Sequence, residues 1–156
     1  MYPDSLKNLI ESFENFPGIG EKTAERMAFS VLSFDEDKFK LLQENLDDAK
    51  NNIHPCKACN TLTDTEICAI SSSDLREKET ILVVEDSKIV FLFEKLGTYK
   101  GVYHVINGLI SPLDDVNPED IGLDKLLERI KKENIKEVIL ALKPSVEGEI
   151  TSLYIK

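Results

Sequence analysis

Ile81 to Gly97 reads ILVVEDSKIVFLFEKLG. It opens on a continuous Val/Ile/Leu run, the pattern of a strand covered on both faces, and passes directly into a second apolar segment. Apolar runs and helical patterns keep alternating downstream: VYHVI from Val102, NPEDIGLDKLLERIKK from Asn117, KEVILAL from Lys136 and VEGEITSLYIK from Val146. Strands of this kind separated by helices indicate βαβ units around a mainly parallel sheet. Asn117-Pro118 predicts a helix start, with Asn as the cap and Pro in the first turn.

In an open parallel sheet the functional crevice lies outside the carboxyl ends of the strands. Glu85 ends the first strand, and Lys143, Ser145, Glu147 and Glu149 follow the third. Magnesium-dependent phosphoryl chemistry needs several converging carboxylates. Glu85 has a partner in Glu147 or Glu149, but the first polar positions after the strand are a cation and a hydroxyl. The crevice therefore reads as a binding surface rather than a catalytic centre, with ordinary acids at a helix N-terminus as the plainer alternative.

Upstream, residues 55–79 are poor in large apolar side chains and hold all three cysteines, within HPCKACNTLTDTEICAISSSD. Clustered thiols point to metal ligation or reduced thiols rather than to a disulfide framework. Cys56 and Cys59 have the spacing of half a zinc knuckle, and a second half requires thiols at positions 68 and 71. Cys68 supplies one, and Ser71 stands at the other. The fourth place falls to His54, to an acid such as Asp64, or to water, and a knuckle that folds without metal is the alternative.

Residues 1–54 are helical in pattern. Leu6, Leu9, Ile10 and Phe13 recur at i, i+3, i+4 and i+7, as do Ala24, Met27, Ala28 and Val31, and Phe39, Leu42, Leu46 and Ala49 form a third stripe. Between the first two lies FPGIGEKTAERMAF, Phe16 to Phe29. Gly18 and Gly20 permit a tight reversal and the close approach of another backbone. A helix starting near Glu21 then presents free N–H groups and its positive dipole end, a site suited to phosphate. Lys22 and Arg26 fall one turn apart on the face opposite Ala24 and Ala28. A helix-hairpin-helix grips DNA in this way without reading sequence. On the residues alone, a plain helical hairpin whose Lys22 and Arg26 solvate one face or pair with Glu25 fits equally well.

The formal net charge of the 156 residues is −10, and no segment is basic: 6 basic against 11 acidic residues in 1–54, 3 against 5 in 55–79, and 10 against 13 in 80–156. Attraction to nucleic acid cannot rest on net charge. No apolar run approaches the roughly 20 residues that span a bilayer, and the N-terminus lacks the layout of a secretory signal, so a cytoplasmic protein with no membrane partner is expected.

Taken in order, FPGIGEKTAERMAF, CKACNTLTDTEICAIS and ILVVEDSKIV, continuing through YHVINGLISPLDDVNPEDIGLDKLLERI and LKPSVEGEIT, resemble the RecR family of bacterial recombination mediators. The resemblance implies an α+β multi-module chain: a helix-hairpin-helix module over 1–54, a zinc-finger-like module over 55–79 and a Toprim domain over 80–156. It implies a protein that is not an enzyme, that assembles as a ring-like tetramer able to clamp DNA, and that acts with RecO, and in some settings RecF, to load RecA on gapped DNA. Gly18, Gly20, Lys22 and Arg26 then match the DNA-facing hairpin, Cys56, Cys59 and Cys68 three zinc ligands, and Glu85 with Glu147 a region tied to partner contact.

This sequence departs from the family pattern at three points. Ser71 replaces the fourth cysteine, which implies weak or partial zinc occupancy. Lys143 stands where the family usually has Asn and catalytic Toprim proteins have Asp, and Ser145 stands at the second Toprim Asp. The chain stops at LYIK where family members continue, so a C-terminally truncated Toprim domain is expected. The competing readings are a metal-dependent Toprim enzyme acting on nucleic-acid phosphates and a DNA-independent adaptor.

Overall fold

Leu6, Leu9, Ile10 and Phe13 lie on one side of helix α1 (Asp4–Glu14) and pack against Ala24 and Ala28 of helix α2 (Glu21–Leu32), both fully buried. Alanine at those two positions lets the helix backbones approach closely, and Ile19 from the turn closes the small core. Helix α3 (Glu36–Asn52) follows, its start capped by Asp35, which accepts from the Lys38 N–H at 2.8 Å. Its apolar stripe forms as the spacing predicts, yet no residue of α3 is buried, and Phe39 and Leu46 are 41% and 61% exposed. The computed structural model describes residues 2–156, and the chain divides into two compact units, Met1–Asn51 and Asn52–Lys156.

The second unit begins with a short antiparallel pair, β1 (His54–Pro55) and β2 (Leu62–Thr63), and a single-turn helix α4 (Ala69–Ser72). Strand β3 (Glu77–Val84) then runs into helix α5 (Ser87–Leu96), which Asp86 caps by accepting from the Lys88 N–H at 2.8 Å. Strand β4 (Gly101–Val105), helix α6 (Leu123–Lys132), strand β5 (Glu137–Leu140) and helix α7 (Val146–Ile155) complete the unit. The sheet is parallel, in the order β4-β3-β5, with Ile81 opposite Val102 and Val138, and Val83 opposite His104 and Leu140.

Because successive strand residues face opposite ways, the run Ile81–Val84 serves two cores at once. Ile81 and Val83 pack with Val102, Ile106, Leu123 and Leu126 toward α6, and Leu82 and Val84 pack with Tyr103, Val105 and Val90 toward α5. Burial of each such side chain contributes about 1.5–3 kcal/mol.

The predicted helix start at Asn117-Pro118 is corrected. Asn117 N–H donates to Asp120 Oδ2 at 2.8 Å and Asp120 N–H donates to the Asn117 carbonyl at 3.1 Å, which closes a local turn. Gly122 then adopts φ +69°, and the helix begins only at Leu123. The Asp120 carboxylate takes the Asn117 N–H much as a residue in a helix-starting capping box does, so it is the left-handed Gly122 that separates this turn from the helix that follows.

On the α5 side a polar network ties the sheet to the helix. Glu94 of α5 pairs with Arg76 and accepts from Tyr103 Oη at 2.7 Å, and Arg76 also donates to the Tyr99 carbonyl at 3.2 Å. Burial alone would raise the Glu94 carboxyl, but hydrogen bonds from Arg76 and Tyr103 and the Arg76 charge hold it below the ordinary carboxylate range. The stabilisation is therefore complete above the unfolded value of about 4.3 and is lost as pH falls through the depressed native value. Glu94→Gln is expected to lower unfolding free energy by roughly 1.5–3 kcal/mol at neutral pH, with the gap to wild type closing in acid, as urea unfolding at a series of pH values will measure.

Candidate nucleic-acid interface and metal centre

The reversal between α1 and α2 is built by two backbone hydrogen bonds of 3.1 Å, Phe16 N–H to the Phe13 carbonyl and Ile19 N–H to the Phe16 carbonyl. Gly18 takes φ +79°, a left-handed conformation that favours glycine. Gly20 is different: at φ −92° and ψ 169° it is extended backbone open to any residue, and a Cβ there would meet nothing within 4 Å. The fold requires glycine only at 18, and the missing side chain at 20 leaves the mouth of α2 open from outside.

No side chain caps α2, whose Gly20 carbonyl accepts from both Thr23 and Ala24 N–H at 3.0 Å. Lys22 and Arg26 are exposed, and among the described residues neither has a carboxylate within ion-pair distance. Glu25, the expected competitor, instead accepts from Tyr2 Oη at 3.1 Å. The two cations thus stand one turn apart, Lys22 in the first turn of the helix and Arg26 in the second, on the face opposite the buried alanines.

The knuckle gathers all three cysteines. Cys56, Cys59 and Cys68 are almost fully buried, and their Sγ atoms lie within 4.8 Å of one another. Asn60 at φ +61° turns the chain after Cys59, with Cys56 N–H bonded to the Thr61 carbonyl at 2.8 Å and Asn60 N–H to the Cys56 carbonyl at 2.9 Å. Cys68 caps α4 through its sulfur, and Ser71 Oγ stands 3.4 Å from Cys68 Sγ. Burial alone would raise the Cys56 thiol, but backbone N–H groups of Cys68, Cys59 and Ala58 aimed at its sulfur bring it down; burial of Cys59 pushes that thiol up.

Three soft, converging, buried donors fit a metal ion, which would neutralise the thiolates and tie together a segment with little core of its own. Of the fourth ligands weighed from sequence, His54 is exposed with Nδ1 3.2 Å from the Pro55 carbonyl, and neither His54 nor Asp64 brings a ligand atom to the cluster. The Ser71 hydroxyl, beside Cys68 Sγ, stands at the position the second half-knuckle requires. Thr61 Oγ1, 3.2 Å from Cys59 Sγ, is a neighbour that the cysteine spacing gave no reason to single out.

The knuckle docks on the sheet through Val105 N–H to the Cys59 carbonyl at 2.8 Å and Leu62 N–H to Ser87 Oγ at 3.0 Å. Beside it, at the carboxyl ends of β3 and β5, opens a crevice of about 660 Å³ that includes Glu85, Glu147, Lys143 and Ser145. Glu85 Oε2 accepts the Lys143 backbone N–H at 3.1 Å. Ser145 caps α7 by accepting from Gly148 N–H at 3.2 Å, and Gly148 packs so closely under the Lys143 carbonyl that a Cβ would lie 1.9 Å from it. Free N–H donation at the start of α7, the Ser145 hydroxyl and the Lys143 charge hold Glu147 below the usual carboxylate range. Asp86 and Asp114 also line the crevice. Among the described residues no three of these acids bring carboxylate oxygens together at metal-binding distance. Glu149 does not line the crevice.

Three family models match in register with these parts: the RecR helix-hairpin-helix over residues 6–50, the RecR four-cysteine zinc finger domain over 53–70, and the Toprim domain over 79–156. The chain is 45% identical to the Recombination protein RecR of Staphylococcus saprophyticus over 154 residues, covering 99% of this chain and 78% of that protein. The chain belongs to the RecR family. It is 44% identical, over the same shares, to the proteins of that name from Staphylococcus haemolyticus and Staphylococcus aureus. Against the four-cysteine description of the family's finger, this RecR-family chain presents three thiols and the Ser71 hydroxyl.

The S71C variant should therefore complete a four-thiolate set. Elemental analysis of purified protein is expected to give less than one metal ion per chain for the wild type and one for S71C, with a higher melting temperature for the latter. Full, chelator-resistant occupancy in the wild type would contradict the reading of Ser71.

Proposed function

We propose that this chain is a DNA-binding mediator of recombination and repair that acts without catalysis. Its relatives carry the name Recombination protein RecR, and a helix-hairpin-helix family model covers the segment holding Lys22 and Arg26. The observation that carries the reading is that pair: exposed, free of carboxylate partners among the described residues, and set on one face of the first two turns of α2. Both make phosphate contacts, with Gly18 shaping the hairpin and Gly20 leaving room for the strand.

Two cations on a chain of net charge −10 are a weak site. The proposal therefore includes assembly into a ring-like homo-oligomer, a tetramer, in which several copies face one DNA and avidity multiplies the single contacts. Apolar side chains exposed along α3 support this with surface for self-association. The assembled clamp works with RecO-type and RecF-type proteins in loading RecA, with Glu85 and Glu147 in the crevice at the carboxyl ends of the strands as partner contacts. Cys56, Cys59 and Cys68 hold a structural zinc ion, weakly because Ser71 is a poor ligand, and the protein works in the cytoplasm.

Replacing both Lys22 and Arg26 with Glu is expected to abolish retention of DNA in a filter or shift assay while helical content and assembly stay unchanged, since both side chains lie in solvent. Retention equal to wild type would remove the assignment. The proposal also expects no hydrolysis of DNA or nucleotide with Mg²⁺ or Mn²⁺, because Lys143 and Ser145 occupy positions where metal-binding acids are needed and Ser145 is engaged in capping α7. Metal-dependent turnover that disappears in Glu85→Gln would favour an enzyme instead.

A further inference from the structure

Three converging thiols select a different ion from four. Cys59 Sγ and Cys68 Sγ stand 3.5 Å apart, and all three sulfurs of the knuckle lie within 4.8 Å of one another. Backbone donors hold two of them in place, Cys68 N–H to Cys56 Sγ at 3.2 Å and Ser71 N–H to Cys68 Sγ at 3.4 Å. Two neutral hydroxyls border the set: Ser71 Oγ, 3.4 Å from Cys68 Sγ, and the buried Thr61 Oγ1, 3.2 Å from Cys59 Sγ. Among the described residues no His, Asp or Glu brings a ligand atom to the cluster.

Structural zinc is four-coordinate, so this set obliges it to complete its shell with a neutral oxygen. Three thiolates around Zn²⁺ also leave one net negative charge in a buried pocket, which is costly unless it is compensated. Lys57 is the one cation between Cys56 and Cys68, and it is already paired with Glu66 at 2.7 Å.

Trivalent arsenic has the opposite requirements. It is thiophilic and bonds three thiolates in a pyramid, its lone pair takes the fourth direction, and the tris-thiolate is neutral. Such an ion asks nothing of position 71 and carries no charge into the protein.

We infer that the cysteine cluster is a binding site for trivalent arsenic, taken up as arsenite with one As–S bond to each of Cys56, Cys59 and Cys68, and that Ser71 sets its preference for this ion over zinc. Neutral arsenite, As(OH)₃, exchanges its three hydroxyls for the three sulfurs. Three S–H and three As–O bonds break, three As–S bonds form, three waters leave, and no oxidation state changes. The site rests on the reading of these thiols as a metal centre and specifies which ion that centre prefers. Because the segment has little core of its own, an ion that ties all three cysteines together also stabilises its fold.

The test is titration of the metal-free, reduced full chain with arsenite and with Zn²⁺ at neutral pH, read by native intact-mass measurement and by melting temperature. Wild type, S71C and S71A are compared, all of which keep Cys56, Cys59 and Cys68. Wild type is expected to gain one arsenic with the loss of three hydrogens, to melt at higher temperature, and to release zinc to equimolar arsenite. S71C should bind zinc at least about tenfold more tightly, through the fourth thiolate, while its arsenite affinity stays within about threefold of wild type. S71A should bind arsenite as wild type does. An adduct with fewer than three hydrogens lost, an arsenite affinity that rises in S71C in step with zinc, or wild type that keeps its zinc against equimolar arsenite would each overturn the inference. Arsenite bound by all three thiols with no zinc bound by wild type or S71C would remove the zinc reading and uphold the arsenic site.

Discussion

Burial of Ile81–Val84 on both faces, with parallel neighbours on both edges, is the constraint on which the Asn52–Lys156 unit depends. Once that run is fixed, the residues after it have no freedom of placement. The Val84 carbonyl accepts from Ile106 N–H at 3.0 Å, the Glu85 carbonyl accepts from Gly108 N–H at 3.1 Å, Asp86 caps α5, and Ser87 receives the knuckle through Leu62. One strand end therefore positions the crevice and anchors the cysteine segment. A polar residue introduced at Val83 would have to be desolvated in a core shared by β4, β5 and α6, and both sites would lose their support together.

The proposed DNA contact obeys a different constraint, since it must work within an acidic chain. Interactions between exposed charges fade over a Debye length of about 8 Å at physiological salt. Lys22 and Arg26 thus feel chiefly their immediate surroundings, where Glu25 keeps its charge but accepts from Tyr2 Oη and forms no ion pair with either cation. Distant carboxylates limit nonspecific adhesion without cancelling the local pair. On the proposed reading, assembly supplies the affinity that a single pair lacks.

Much of this was legible in the sequence, because it rests on local periodicity. The stripes of α1 and α2, the double-faced run of β3 and the knuckle spacing each report short-range geometry, and the structure brings Cys56, Cys59, Cys68 and Ser71 to one place, as it does Glu85 and Glu147. The stripe of α3 was equally legible as a helix, but amphipathicity does not say what covers it. Asn117-Pro118 misled because a capping pattern cannot reveal that Gly122 will turn left-handed and end the Asn117–Asp120 turn before the helix starts. Asp86 and Asp114 in the crevice, the Arg76–Glu94–Tyr103 network and the unpartnered ring of His104 arise from contacts between distant segments, and no spacing rule announces them.

The most direct measurement of the central claim is the slope of log binding constant against log salt concentration for two DNA duplexes of equal length and unrelated sequence. Contacts to phosphate through Lys22 and Arg26 predict steep slopes that coincide for the two sequences, and a slope shallower by about 0.9 per DNA-facing copy in Lys22→Gln. A slope that Lys22→Gln leaves unaltered, or binding that differs strongly between the two sequences, would contradict the account.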